Sequence, residues 1–115
     1  MKNQSSKAVD VEFLRGIIDN DREFEKELLT IFVENAQRNL AKMEEALRGG
    51  DNNSWYMAAH AFKGASASIG AFNLSQLLEY AQKHPEENSD QKVKIISDVK
   101  EEFKLVHEFI QQEML

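Results

Sequence analysis

Between Arg22 and Arg48 the apolar residues Leu29, Phe32, Ala36, Leu40, Met43 and Leu47 follow one another at steps of three and four. That spacing lines them along one side of an α-helix. The pair Gly49-Gly50 stops the pattern, and Asp51 or Asn52 can cap a new start. A second stripe, Trp55, Ala58, Phe62, Ala65 and Ile69, then runs to Gly70. Asn73 with Gln76 reads as a capping box for a further helix carrying Leu74, Leu77, Leu78 and Ala81 inward. Pro85 disfavours helical backbone in the residue before it, so this helix ends near His84. After a polar connector at 85–89, Val93, Ile96, Val99, Phe103, Val106 and Ile110 form the last stripe.

Ahead of the long helices, Asp10 can cap a short helix bearing Phe13, Leu14, Ile17 and Ile18, and Asp19-Asn20-Asp21 interrupts it and supplies the next cap. Residues 1–9 read as a flexible tail, and residues 10–115 as one domain. With one proline and five glycines there are too few turn residues for a sheet of hairpins, and no stretch reads as a strand. The fold class expected is all-α: an antiparallel up-down four-helix bundle with a short extra N-terminal helix. A bundle alone names no function.

Charge and composition remove several functions. Fourteen basic against twenty acidic residues leave a net charge of −6, which does not suit a nucleic-acid backbone. There is no cysteine, hence no disulfide, thiolate nucleophile or cysteine-ligated metal. The opening MKNQSSKAVD lacks the apolar run of a signal peptide. No apolar stretch approaches the roughly 20 residues needed to span a bilayer, so a cytoplasmic protein without membrane insertion is expected.

The helix of Trp55 and Phe62 has an unusual outer side. His60 precedes Phe62 by two residues and therefore points about 200° away from it, toward solvent, at about 100° per residue. Lys63 and Gly64 follow one turn on, and Ala67 a turn later. A neutral imidazole is a good nucleophile near neutral pH. Attack on phosphorus needs an approach in line with the leaving oxygen. Glycine at 64 clears that approach, at a cost of about 1 kcal/mol of helix propensity relative to alanine. Small residues at 65–68 keep the next turn low, and Lys63 supplies a cation for phosphoryl oxygens. Such a surface suits a bulky phosphorylated partner, not a small molecule in a pocket.

AHAFKG at 59–64, followed by ASASIGAFNL at 65–74, resembles the signature of histidine-containing phosphotransfer (HPt) domains. The pattern comprises Ala59, His60, Lys63, Gly64, the small residues 65–68 and Gly70, and LLEYAQ at 77–82 is similar to the family's next helix. The resemblance implies that His60 takes a phosphoryl group, on the imidazole nitrogen farther from the backbone, from a receiver-domain phospho-aspartate and passes it to another receiver aspartate. It implies that Lys63 and Gln82 assist the phosphate, that Gly64 gives access, and that Ala67 belongs to the docking surface; Phe13, Leu14 and Ile17 read first as closing the bundle, with part of that surface extending the docking patch. It implies response-regulator receivers as partners, with a hybrid sensor histidine kinase as a further candidate, and a monomer. Magnesium would sit in the receiver's acidic cluster, with no cofactor on this domain. Without a nucleotide-binding loop the chain should be a phosphoryl carrier, not an ATP-dependent kinase. Ala61, Phe62 and Ala65-Ser66 depart from the family's commoner residues and bear on partner choice.

Two other readings compete. The first is a bundle that binds receivers without carrying phosphate. The second, a metal-dependent bundle enzyme, would draw several Glu and His ligands inward, whereas here the inner stripes are apolar. His84 reads as a helix C-terminal residue suited to the dipole, and His107 as a residue at the edge of the core. Trp55 and Phe62 read as core, and the many glutamates, Glu25 among them, as solvated faces.

Overall fold

Four short polar side chains decide where most of the helices begin. The computed structural model describes residues 7–115. In it Asp10 caps α1 (Val11–Ile17), Asp21 caps α2 (Arg22–Gly49), Asp51 caps α3 (Asn52–Ser68) and Asn88 caps α5 (Ser89–Phe109). Each accepts a hydrogen bond from the backbone N–H three residues on, at 2.9–3.0 Å, and so satisfies one of the donors a helix start leaves open. Gly50 ends α2 in the left-handed region, at φ 64°, with its N–H on the carbonyls of Ala46 and Leu47.

The helix α4 (Phe72–Lys83) starts differently. The expected capping box of Asn73 and Gln76 is not its cap. Gly70, at φ 85°, turns the chain so tightly that the Ala71 N–H bonds the Ser66 carbonyl at 2.9 Å. The helix therefore opens at Phe72, with Ala71 at the cap position and no side-chain cap bond there, and Asn73 falls inside the first turn. The other end agrees with the sequence: Lys83 is the last helical residue before His84-Pro85.

The described residues form helices and no strand. The long helices close a ring: α2 packs on α3 and α5, and α4 packs on α3 and α5. α3 and α4 run in opposite directions. The Trp55 indole near the start of α3 donates to the Ala81 carbonyl near the end of α4 at 2.9 Å, and Ser75 near the start of α4 reaches the Lys63 carbonyl at 3.4 Å. Inside lie Trp55, Phe62, Leu29, Met43, Leu74, Leu78 and Val99, with the Phe103 ring between Phe32 and Phe62 at centroid separations of 6.4 and 6.3 Å.

Several expectations change. Val9 is fully buried and Ala8 packs against the core, so the expected tail over 1–9 does not extend to them; residues 1–6 lie outside the described residues. Val93 is exposed, and Lys92 and Ile95 take the inward positions of that turn. Lys92 can be buried because its ammonium donates to Asn52 at 2.8 Å and lies 4.9 Å from the Trp55 ring centroid. Leu14 is fully buried, closing one end of the ring. After Phe109 the chain widens into a π-helical turn, Ile110–Met114, which buries Ile110 and Met114.

Candidate functional site

α3 buries Trp55, Ala58, Ala59, Phe62 and Ser66, and thereby turns His60 outward. His60 is exposed. The ring of Tyr56, one turn earlier on the same side, lies nearly parallel to it, with centroids 5.9 Å apart and 11° between planes. Gly64, one turn later, is exposed, and a Cβ built on it meets nothing within 4 Å. The space beyond His60 is therefore open, and glycine there leaves it open. The serine hydroxyls of the next turn are bonded to the helix backbone: buried Ser66 donates to the Phe62 carbonyl and exposed Ser68 to the Ala65 carbonyl, both at 2.8 Å. Ala67 is half-buried.

Lys63 is half-buried on the α4 side of this face. Among the described residues it makes no ion pair within 4.0 Å. Glu79 pairs instead with Lys83 at 2.8 Å. Its carboxyl is held below the usual range chiefly by that Lys83 hydrogen bond, with Lys63 adding a smaller attraction.

Gln82 is half-buried at the end of α4. No hydrogen bond joins it to His60. Its Oε1 is buried without a partner among the described residues, a costly state for an amide oxygen.

The expected docking residues separate. Phe13 is partly exposed and packs edge-on against Phe72 at 5.0 Å, and Ile17 is 60% exposed. Leu14 points the other way and is fully buried, so it closes the core and cannot touch a partner in this conformation.

The structure adds residues that the sequence reading passed over. Met57 is 60% exposed beside His60 and lines a groove with Ala61, Asn39 and Lys42, between α2 and α3. Phe24 and Ile31 are also exposed. They stand about five and three turns before Lys42, at ~3.6 residues per turn, and so continue that side of α2. The signal was present: both fall outside the inward stripe of α2.

Glu25 is the other omission. It is fully buried, against the expectation of a solvated glutamate. Arg15 of α1 grips it with two hydrogen bonds, at 2.7 and 3.1 Å, and Arg22 lies 3.3 Å away. The Arg15 hydrogen bond, reinforced by the charges of Arg15 and Arg22, lowers the Glu25 carboxyl against the opposing effect of burial. A spacing of ten residues across a helix break gives no periodic signal for such a pair.

His84 stacks on Tyr80 at 4.0 Å, its Nδ1 2.8 Å from the Tyr80 carbonyl oxygen, and His107 stacks on Phe103 at 5.7 Å. Among the described residues no group of three or more His, Asp or Glu side chains is placed to hold a metal ion. No described helix is long and apolar enough to cross a membrane.

A family model described as Hpt domain matches residues 27–112. No curated protein matches. The crystal structure of histidine-containing phosphotransfer protein B (HptB) from Pseudomonas aeruginosa PAO1 superposes with a TM-score of 0.85. It covers 96% of each chain at 24% identity, a likeness that establishes the fold.

Proposed function

The chain belongs to the Hpt domain family, and from that premise we propose that His60 is its phosphoryl-accepting residue, exchanging phosphate with the aspartates of receiver domains. The observation that carries this reading is the exposure of His60 next to open space at Gly64.

In the proposed step the His60 Nε2 lone pair attacks the phosphorus of a receiver's aspartyl phosphate. An N–P bond forms, the P–O bond to the aspartate breaks, and the carboxylate leaves as an anion. The imidazole keeps its Nδ1 proton and becomes cationic, so an acceptor near Nδ1 stabilises the product. The idle Gln82 Oε1 is the candidate, reached by a change of its side-chain rotamer. Lys63 offsets charge on the phosphoryl oxygens. The reverse step hands the group to a second receiver. Magnesium belongs to the receiver, and nothing in the step requires ATP on this chain. A monomer acting in the cytoplasm, its four long helices an up-down antiparallel bundle and residues 10–115 one domain, completes the proposal.

Docking would use Phe13, Ile17 and Ala67 from the family pattern, extended by Phe24, Ile31 and Met57. To test the assignment, the chain is mixed with a receiver charged by acetyl phosphate in magnesium. Acid-labile phosphate should appear on wild type and not on His60→Gln. Normal labelling of His60→Gln would reject it, and receiver binding without any transfer would favour a pure interaction module.

A further inference from the structure

Phe13 and Ile17 sit on a helix of only seven residues, too short to hold itself in place. A polar tether fixes each end, and Phe13 also packs edge-on against Phe72 of α4 at 5.0 Å. At its start the Asp10 N–H donates to the Gly70 carbonyl at 2.9 Å, joining it to the end of α3. Toward its other end Arg15 reaches the first turn of α2 and grips the buried Glu25. Leu14, between them, fills the core. The exposed pair Phe13 and Ile17 is therefore aimed by a tether at each end of α1. A buried carboxylate is a costly way to hold a helix, since an apolar pair of similar volume often does as well or better. What the bidentate Arg–carboxylate geometry adds is a fixed orientation.

We propose that Arg15 and Glu25 are positioning residues that set the affinity for the receiver by orienting α1, without acting on the reactivity of His60. This rests on the phosphotransfer reading above. The side-chain hydrogen bonds of Arg15 go to Glu25, near the start of α2 and almost five turns before Lys42 of the groove, at ~3.6 residues per turn. Removal of Arg15 also leaves Glu25 paired with Arg22, so the carboxylate is not orphaned and the core is kept.

Phosphoramidate, a small donor that needs no protein docking, separates the two effects. Arg15→Met and Glu25→Gln should label on His60 at the wild-type rate with unchanged helical circular dichroism. With the charged receiver that serves wild type best, KM should rise about tenfold, equivalent to roughly 1.4 kcal/mol of binding, with kcat within about twofold. Arg15→Lys should recover part of the loss. In a Phe13→Ala/Ile17→Ser background Arg15→Met should add nothing, because the residues it aims are gone.

A wild-type KM in folded Arg15→Met and Glu25→Gln overturns the proposal, as does a full additional penalty in the Phe13→Ala/Ile17→Ser background. Unfolding of both single variants would show that the pair only holds the core, and overturns it too. If wild type takes no phosphate from phosphoramidate or any receiver, it is the phosphotransfer reading that fails. Wild-type labelling together with an indifferent KM sinks the positioning role alone.

Discussion

The rings of Tyr56 and His60 lie 5.9 Å apart and within 11° of parallel on the outer side of α3. Both are exposed, so the stack limits the orientations of the imidazole without shielding it. Aromatic pairs contribute about 0.5–1.5 kcal/mol, and exposure puts this one at the low end. Tyr56→Ala should slow phosphoryl uptake by about two- to fivefold with no change in helical content. Rates equal to wild type, from several receivers, would leave the stack without a role.

Gly64 allows access and packing to be told apart. Since a Cβ there meets nothing within 4 Å, Gly64→Ala should fold and be more stable by up to about 1 kcal/mol. Gly64→Leu should fold as well, but its side chain would occupy the space through which a receiver reaches His60. Uptake from a receiver should then fall by at least about tenfold, measured beside thermal unfolding. Full uptake by a folded Gly64→Leu chain would contradict the clearance argument.

Lys63 is half-buried; its backbone carbonyl accepts a hydrogen bond from Ser75 of α4, and its ammonium makes no ion pair within 4.0 Å among the described residues. Lys63→Ala should therefore leave the circular dichroism spectrum intact and slow transfer, or shorten the lifetime of the phosphorylated chain, by about tenfold. Loss of folding would mean that the ammonium has a structural partner.

The outward histidine, with Lys63 and Gly64 one turn on, was legible in the sequence because helical periodicity fixes directions once Phe62 is known to be buried. Helix starts fixed by one local side chain were legible to within a residue or two: Asp10 is read directly, whereas Asp21 is one of the run 19–21 and Asp51 stands beside Asn52 as an alternative. The start of α4 was not, since the Gly70 turn pre-empts the capping box. Val93 was misplaced because a stripe at steps of three and four has two admissible phases. The buried alternative in that turn includes a lysine, made tolerable only by Asn52 and Trp55 from another helix. Glu25 failed for the same reason: its partner Arg15 lies across a helix break, and a carboxylate read alone is assigned to solvent. Tyr56 and Met57 are exposed apolar residues beside a reactive one, a signal that periodicity reports only as a departure from the core stripe.

Gly70 should resist substitution. It sits at φ 85°, where a side chain is strained, and an added Cβ would lie 2.8 Å from the Asp10 carbonyl oxygen. The left-handed conformation alone costs about 1–2 kcal/mol for a non-glycine residue, and the clash pushes the chain ahead of α1 off the end of α3. Gly70→Ala should lower the melting temperature by about 10 °C, at ~4–8 °C per kcal/mol for a small domain. A melting temperature within a degree or two of wild type would show that this segment shifts at little cost.

The pair that holds the other end of α1 should show itself in acid. The Arg15 hydrogen bond, with the charges of Arg15 and Arg22, lowers the Glu25 carboxyl in the folded chain, while in the unfolded chain it returns to the ordinary glutamate value of about 4.3. A depressed folded value means that the contribution is complete above the unfolded value. As pH falls below about 4.3 the unfolded chain binds a proton that the folded chain refuses, and stability is lost down to the lowered folded value. Other carboxylates, Asp51 and Glu79 among them, are also lowered, so the wild-type curve alone will not isolate Glu25. Its difference from Glu25→Gln will. Urea midpoints measured from pH 7 down to about 3 should give a wild-type advantage that is constant above about pH 5.5 and shrinks below about 4.3. Curves that stay parallel throughout would show that the Glu25 carboxylate contributes no proton-linked stability, and that Arg15 holds α1 by packing alone.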